Sequence, residues 1–93
     1  MIFKIVIEDE AFSDLQNIYN YIVEQDTKNK AKNFLSELQT AISTLNTMPN
    51  RCRNSYYNDD LNVKDLIYKS YTIVFKVIDE SVHVLSVFRQ REY

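Results

Sequence analysis

The chain contains no glycine and no tryptophan, and only one proline, one cysteine and one histidine among its 93 residues. Each scarcity removes a class of function. Without glycine, no backbone can approach a phosphate as closely as the phosphate-cradling and dinucleotide-binding loops require, so enzymes built on those loops are excluded. One Cys and one His cannot build a structural zinc site. Cys52 alone cannot close an internal disulfide, whereas a secreted domain of this size usually needs such staples. No apolar run approaches the ~20 residues that cross a bilayer, and the opening residues 1–7 are too short and too β-branched for a signal peptide. The chain therefore reads as a cytosolic domain with no membrane partner.

What is present suits one small globular domain spanning 1–93. Apolar residues make up 45% and charged residues 26%, and a chain this short cannot divide that apolar content between two cores. The net charge of -2 rules out a protein that coats nucleic acid by bulk positive charge. The charge is unevenly spread: residues 1–50 carry four Lys against seven acids, and residues 51–93 carry seven Lys and Arg, including all four Arg, against six acids. A local basic site near the C-terminus is thus available, with Asp59, Asp60, Asp65, Asp79 and Glu80 to offset it.

Residues 1–7 are β-branched and apolar and run into Glu8-Asp9-Glu10, a short strand ended by acids suited to a helix start. Ala11, Phe12, Leu15, Ile18, Tyr19 and Ile22 then recur in steps of three and four, predicting a helix to about Gln25. Asp26-Thr27 offers N-cap oxygens, and Ala31, Phe34, Leu35, Leu38, Ala41, Ile42 and Leu45 mark a second helix that Pro49 must end. Two amphipathic helices joined by so few residues fold back on each other and need a sheet to cover. Residues 50–61 are polar and unperiodic; strand-like runs follow at 63–69, 71–78 and 82–88, with turns at Lys69-Ser70 and Asp79-Glu80-Ser81. Turns that need positive φ must use Asn, Asp or Ser, since glycine is absent. The expected architecture is α+β, in the order β-α-α-β-β-β, with the hairpin of 9–47 on one face of a mostly antiparallel four-stranded sheet. Its core should include Leu15, Ile18, Ile22, Phe34, Leu38, Ile42 and Leu45.

The chemistry is sparse. His83 lies mid-strand and is read as a packed or half-exposed strand residue, and a Cys52-His83 nucleophilic pair lacks any group to orient the base. The acid pairs Asp59-Asp60 and Asp79-Glu80 fall in turns, where solvation accounts for them. The tail Arg89-Gln90-Arg91-Glu92-Tyr93 is more suggestive: alternate residues share a strand face, and an Arg, Arg, Tyr row suits phosphates and bases. A fraying terminus kept soluble by charge is the plainer account of the same residues. Arg51 and Arg53 also alternate, before Tyr56-Tyr57, and either contact nucleic acid or pair with nearby acids.

Taken whole, the chain resembles the RelE/ParE toxins, and its ParE branch in particular. Ala11 to Ile22 is similar to the opening helix of that family, with its A-x-x-D-L-x-x-I-x-x-Y-I pattern. Phe34, Leu38, Ile42, Leu45 and Pro49 match its second helix and the proline after it, and Arg51 and Tyr57 fall in its Pro- and Arg-rich loop. Ile67 to Val77 is similar to the central hairpin, where glycine is common in place of Ser70 and arginine in place of Thr72. Val84 to Arg91 resembles the closing strand, with Arg89 in place of a common histidine. The terminal Tyr93 is also similar to the tails of ribonuclease toxins such as YoeB.

The resemblance implies the toxin half of a type II toxin-antitoxin pair, associated with plasmid stabilisation and growth inhibition. In the ParE branch it implies a poison of DNA gyrase that acts by binding, with no catalytic residues and no cofactor. Target contacts would come from Arg89, Gln90, Arg91, Tyr93, Arg51 and Arg53. The alternative is a ribosome-dependent mRNA endoribonuclease, in which Tyr93, Arg91 and Arg89 would act on the ribosome-bound message. A third is a non-toxic module that retains only antitoxin binding. The resemblance also implies a cognate antitoxin, for which Phe12, Tyr19 and Tyr21 are the expected contacts.

Overall fold

The computed structural model describes residues 2–47, 49–55, 60 and 62–89. Chain order is β1 (Lys4–Ile7), α1 (Asp9–Gln25), α2 (Lys28–Ser43), β2 (Arg53–Asn54), β3 (Val63–Tyr68), β4 (Tyr71–Ile78) and β5 (Ser81–Arg89), with 3₁₀ turns at Thr44–Asn46 and Pro49–Arg51. Helix α1 opens with Asp9 and Glu10 against the positive end of its dipole. Helix α2 opens on Thr27, whose hydroxyl accepts from the Lys30 N–H at 3.2 Å, and it tightens into the first 3₁₀ turn before Pro49. Among the described residues, no helix is long and apolar enough to cross a membrane.

The strands form one sheet in the order β1-β5-β4-β3-β2. Among the described residues it has five strands rather than the four expected. The extra one is β2, a two-residue pairing of Arg53 with Asp65 and Asn54 with Lys64, too short to leave any periodicity in the polar stretch. β3, β4 and β5 are joined by two-residue turns into an antiparallel meander, while β1 lies parallel to β5, Ile5 opposite Val82. The long crossover that a parallel pair requires is here the helical hairpin plus the whole meander.

β4 is the central strand. Its Ile73 and Phe75, with Tyr71 and Val77, face the helices and meet Leu15, Ile18, Leu38, Ile42 and Leu45 in one core. Ile22 and Phe34, expected to be buried, are only half-buried; they lie toward the connected end of the hairpin, near the Asp26–Thr27 turn. Thr72 and Val74, on the opposite side of β4, are also buried. The Thr72 hydroxyl has no hydrogen-bond partner among the described residues. A bulge at Leu85 lets Phe75 face Val84 while Val74 faces Ser86.

The turns depart from the sequence expectation at one residue. Asp79 takes positive φ (52°) as expected, but in the other turn Lys69 does so (53°), not an Asn, Asp or Ser. A left-handed lysine costs about 1–2 kcal/mol. Lys69 Nζ reaches Glu37 Oε2 at 3.1 Å and lies 5.7 Å from the Phe34 ring centre and 5.6 Å from that of Tyr68, contacts that offset part of this cost.

Candidate functional site

Two surfaces flank α1, and helical geometry decides which side chains belong to each. Phe12 and Tyr19 are seven residues apart, two turns along one flank, whereas Tyr21 lies nine from Phe12 and so on the opposite flank. The structure accordingly brings Phe12 and Tyr19 together and places Tyr21 elsewhere.

Phe12 and Tyr19 line an apolar groove of about 660 Å³ bounded by Ile5 and Ile7 of β1, α1, and Leu35 and Ile42 of α2. The groove is an unclosed side of the core. The two helices do not close over β1, the last strand at this edge, and Phe12 is 59% exposed. Phe3 N–H donates to the Asn46 carbonyl at 2.6 Å and fixes one corner.

On the other flank, Tyr21 (49% exposed), Asn17 and Asp14 of α1 meet Tyr71 and Arg89 in a cleft of about 400 Å³. Asp14 Oδ2 accepts from the Val87 backbone N–H at 3.0 Å. β1 ends opposite Val84, so on that edge β5 continues without a strand neighbour, and the Asp14 carboxylate takes the place of the missing ladder acceptor. Sequence reasoning gave Asp14 no role; its signal was an acid interrupting an apolar stripe, between buried Ala11 and Leu15.

Of the remaining expected site residues, Arg89 pairs in register with Tyr71 and is exposed. Gln90, Arg91 and Tyr93 lie outside the described residues, as do Tyr56 and Tyr57. Arg51 is exposed in the second 3₁₀ turn. Arg53 does not stand open: its Nη2 lies 3.6 Å from Oδ2 of the fully buried Asp65 carboxylate. The sheet lysines are engaged too, Lys64 donating to Asn54 Oδ1 at 3.1 Å and Lys76 Nζ lying 3.0 Å from Asp60 Oδ2. The Asn62 N–H and Lys76 together hold the Asp60 carboxyl below its usual range.

His83 is partly exposed, as expected of a strand residue, but it is not isolated: its Nδ1 lies 2.8 Å from Glu8 Oε1. The two are 75 residues apart and meet only because β1 runs beside β5, with Val6 opposite His83. Cys52 packs against the core, and burial pushes its thiol up despite Arg51 and Lys64. A protonated thiol is a poor nucleophile, and this one serves packing. Among the described residues no group of three His, Cys, Asp or Glu side chains could hold a metal ion.

A helical hairpin on a five-stranded mixed sheet, open at the β1 edge, is a shape with known relatives. The family model described as the ParE toxin of the type II toxin-antitoxin system parDE matches residues 5–93. The chain belongs to the ParE toxin family. Among solved structures, this ParE-family chain is similar to one from the chromosomal ParDE TA system of P. aeruginosa, with TM-score 0.84 and 17% identity over 97% of this chain and 98% of that one. It is also similar to a chain of the toxin-antitoxin complex RelBE2 from Mycobacterium tuberculosis, with TM-score 0.66 and 14% identity over 97% and 100%. At these identities the likeness is one of fold. No curated protein matches the ParE-family chain in sequence.

Proposed function

We propose that this ParE-family toxin inhibits DNA gyrase by binding and is held inactive by a cognate antitoxin seated in the groove beside β1. The observation that carries the target is the state of the sheet's polar side chains. Lys64, Lys69, Lys76 and Arg53 each already have a partner within the fold, and the exposed Arg89 and Lys4 stand at opposite ends of β5, Lys4 facing Ser81, so they do not form a cluster. An endoribonuclease needs cations free to meet the phosphorane and an acid-base pair beside them. The oriented His83 has only Lys76 across the strand, and Lys76 is spent on Asp60. A poison that binds needs surface rather than a catalytic cluster.

The antitoxin reading rests on the apolar groove. Monomeric domains seldom leave large aromatic side chains such as Phe12 exposed above an unclosed core without a partner to cover them. An amphipathic segment that orders on binding would close the core over Ile5, Ile7, Phe12 and Tyr19. Growth inhibition and plasmid stabilisation follow if the toxin outlives that segment.

Supercoiling and DNA cleavage by purified gyrase, with and without the toxin, test the target beside cleavage of ribosome-bound message. Stabilised gyrase-DNA breaks with intact message are expected. Cut message with unaffected gyrase would replace this reading with the ribonuclease.

A further inference from the structure

The surface around Arg89 has a chemistry the groove lacks. Arg89 makes no ion pair among the described residues, although it lines two adjoining clefts, of about 400 and 290 Å³, whose common wall is Tyr71. The Tyr71 ring packs on the Phe34 ring, 5.2 Å between centres and tilted by 50°, a contact that restrains it. Tyr21 stands exposed across the first cleft. Asn17 and Asp14 line the same cleft. Asp14 is pinned by the Val87 N–H through one oxygen, and its other oxygen has no hydrogen-bond partner among the described residues. Ser70 and Lys69 line the second cleft.

We infer that these clefts form a binding site for one unstacked nucleotide of a single-stranded nucleic acid, with Arg89 on its phosphate and its base between Tyr21 and Tyr71. The three parts of a nucleotide each find their complement. A guanidinium offers forked donors to phosphate oxygens. Two tyrosine faces, one of them restrained, suit a base taken out of its stack. A carboxylate oxygen and a carboxamide lie where a base edge would need an acceptor and a donor, as an aspartate serves a cytosine amino group. The site also reconciles a net charge of -2 with a nucleic-acid ligand. One phosphate and one base are recognised locally, and no basic coat is needed. The inference rests on Arg89 belonging to the target-facing surface and gives that surface a ligand, whether the strand is DNA opened by gyrase or RNA.

The test uses fluorescein-labelled 8-mers of mixed sequence, one DNA and one RNA, titrated with the purified full chain by anisotropy at several salt concentrations. Quenching of the tyrosines, the chain's sole strong intrinsic fluorophores, gives a second signal. Binding with Kd of about 10⁻⁴ to 10⁻⁶ M at physiological salt, tighter at low salt, is expected. Tyr21→Ala should weaken it by roughly 5- to 150-fold, the loss of one stacked base. Arg89→Ala should weaken it about tenfold or more and reduce the salt slope by about 0.7, one phosphate on a single strand. Arg89→Lys should restore part of the affinity, while Lys4→Ala, at the other end of the sheet, should change nothing. Melting curves check that each variant is folded. Absence of binding at millimolar protein, or equal losses in Tyr21→Ala and Lys4→Ala, would overturn the site. Oligonucleotide binding that survives while gyrase is unaffected keeps the site and removes gyrase as its context, with the DNA and RNA arms showing which strand is preferred.

Discussion

Replacing Asp14 by alanine should destabilise the fold through a strand it does not belong to. In the native state its carboxylate accepts the Val87 N–H at 3.0 Å, and Val87 itself is 2% exposed. Water cannot readily take over as acceptor. A donor left unpaired in such a place costs about 1–3 kcal/mol. Alanine returns up to ~0.7 kcal/mol because it is the better helix former. The net loss is therefore about 1–2 kcal/mol, and at 4–8 °C per kcal/mol for a domain of this size the midpoint should fall by roughly 4–16 °C. Asp14→Asn keeps a carbonyl acceptor in the same place and should lose less than about 1 kcal/mol. Urea melts followed by circular dichroism measure all three proteins. If Asp14→Ala stays within ~0.5 kcal/mol of wild type, or if Asn and Ala are equally damaging, the Val87 cap does not stabilise the fold.

Leu38 is 0% exposed at the centre of the core, so Leu38→Ala should cost about 2–5 kcal/mol, and a loss under 1 kcal/mol in denaturant would remove it from the core. Phe12→Ala should spare stability, since the ring is 59% exposed, but weaken antitoxin binding by roughly 30-fold or more, the cost of about 2 kcal/mol at a buried aromatic anchor; calorimetry of the pair decides it. Tyr93→Phe removes one hydroxyl and should leave toxicity nearly intact in a gyrase poison. A loss of about 10²-fold in message cleavage would instead identify proton transfer by Tyr93 and refute the proposed target.

The elements that were legible in the sequence are those whose side chains repeat with a period. Leu38, Ile42 and Leu45 announce α2, and the alternation of Tyr71, Ile73, Phe75 and Val77 announces a central strand. What stayed hidden depends on pairs distant along the chain or on a single residue's backbone. Nothing local to Glu8 or His83 points to the other, because their contact follows from the parallel placing of β1. Two residues are too few for β2 to show alternation. Lys69 takes a left-handed turn position whose cost is partly offset by Glu37 and two rings against its side chain, and only the tertiary structure supplies them. For the site, the helical spacing placed Phe12 and Tyr19 on one flank, where Phe12 is exposed and Tyr19 half-buried. That Tyr21 belongs with Arg89 could not be read from spacing, since it requires knowing that α1 lies along β5.

The parallel seam between β1 and β5 also sets a clock. Contacts such as Glu8 with His83 span 75 residues, so the first strand leaves the ribosome long before the strand it must join exists. At 5–20 residues per second, synthesis of that span takes roughly 4–15 seconds, during which the helical hairpin has no finished sheet to lie on. The toxin's shape is therefore assembled late and almost at once, when β5 slots between β1 and β4. Any surface that depends on the completed sheet, the cleft beside Arg89 included, exists only from that moment.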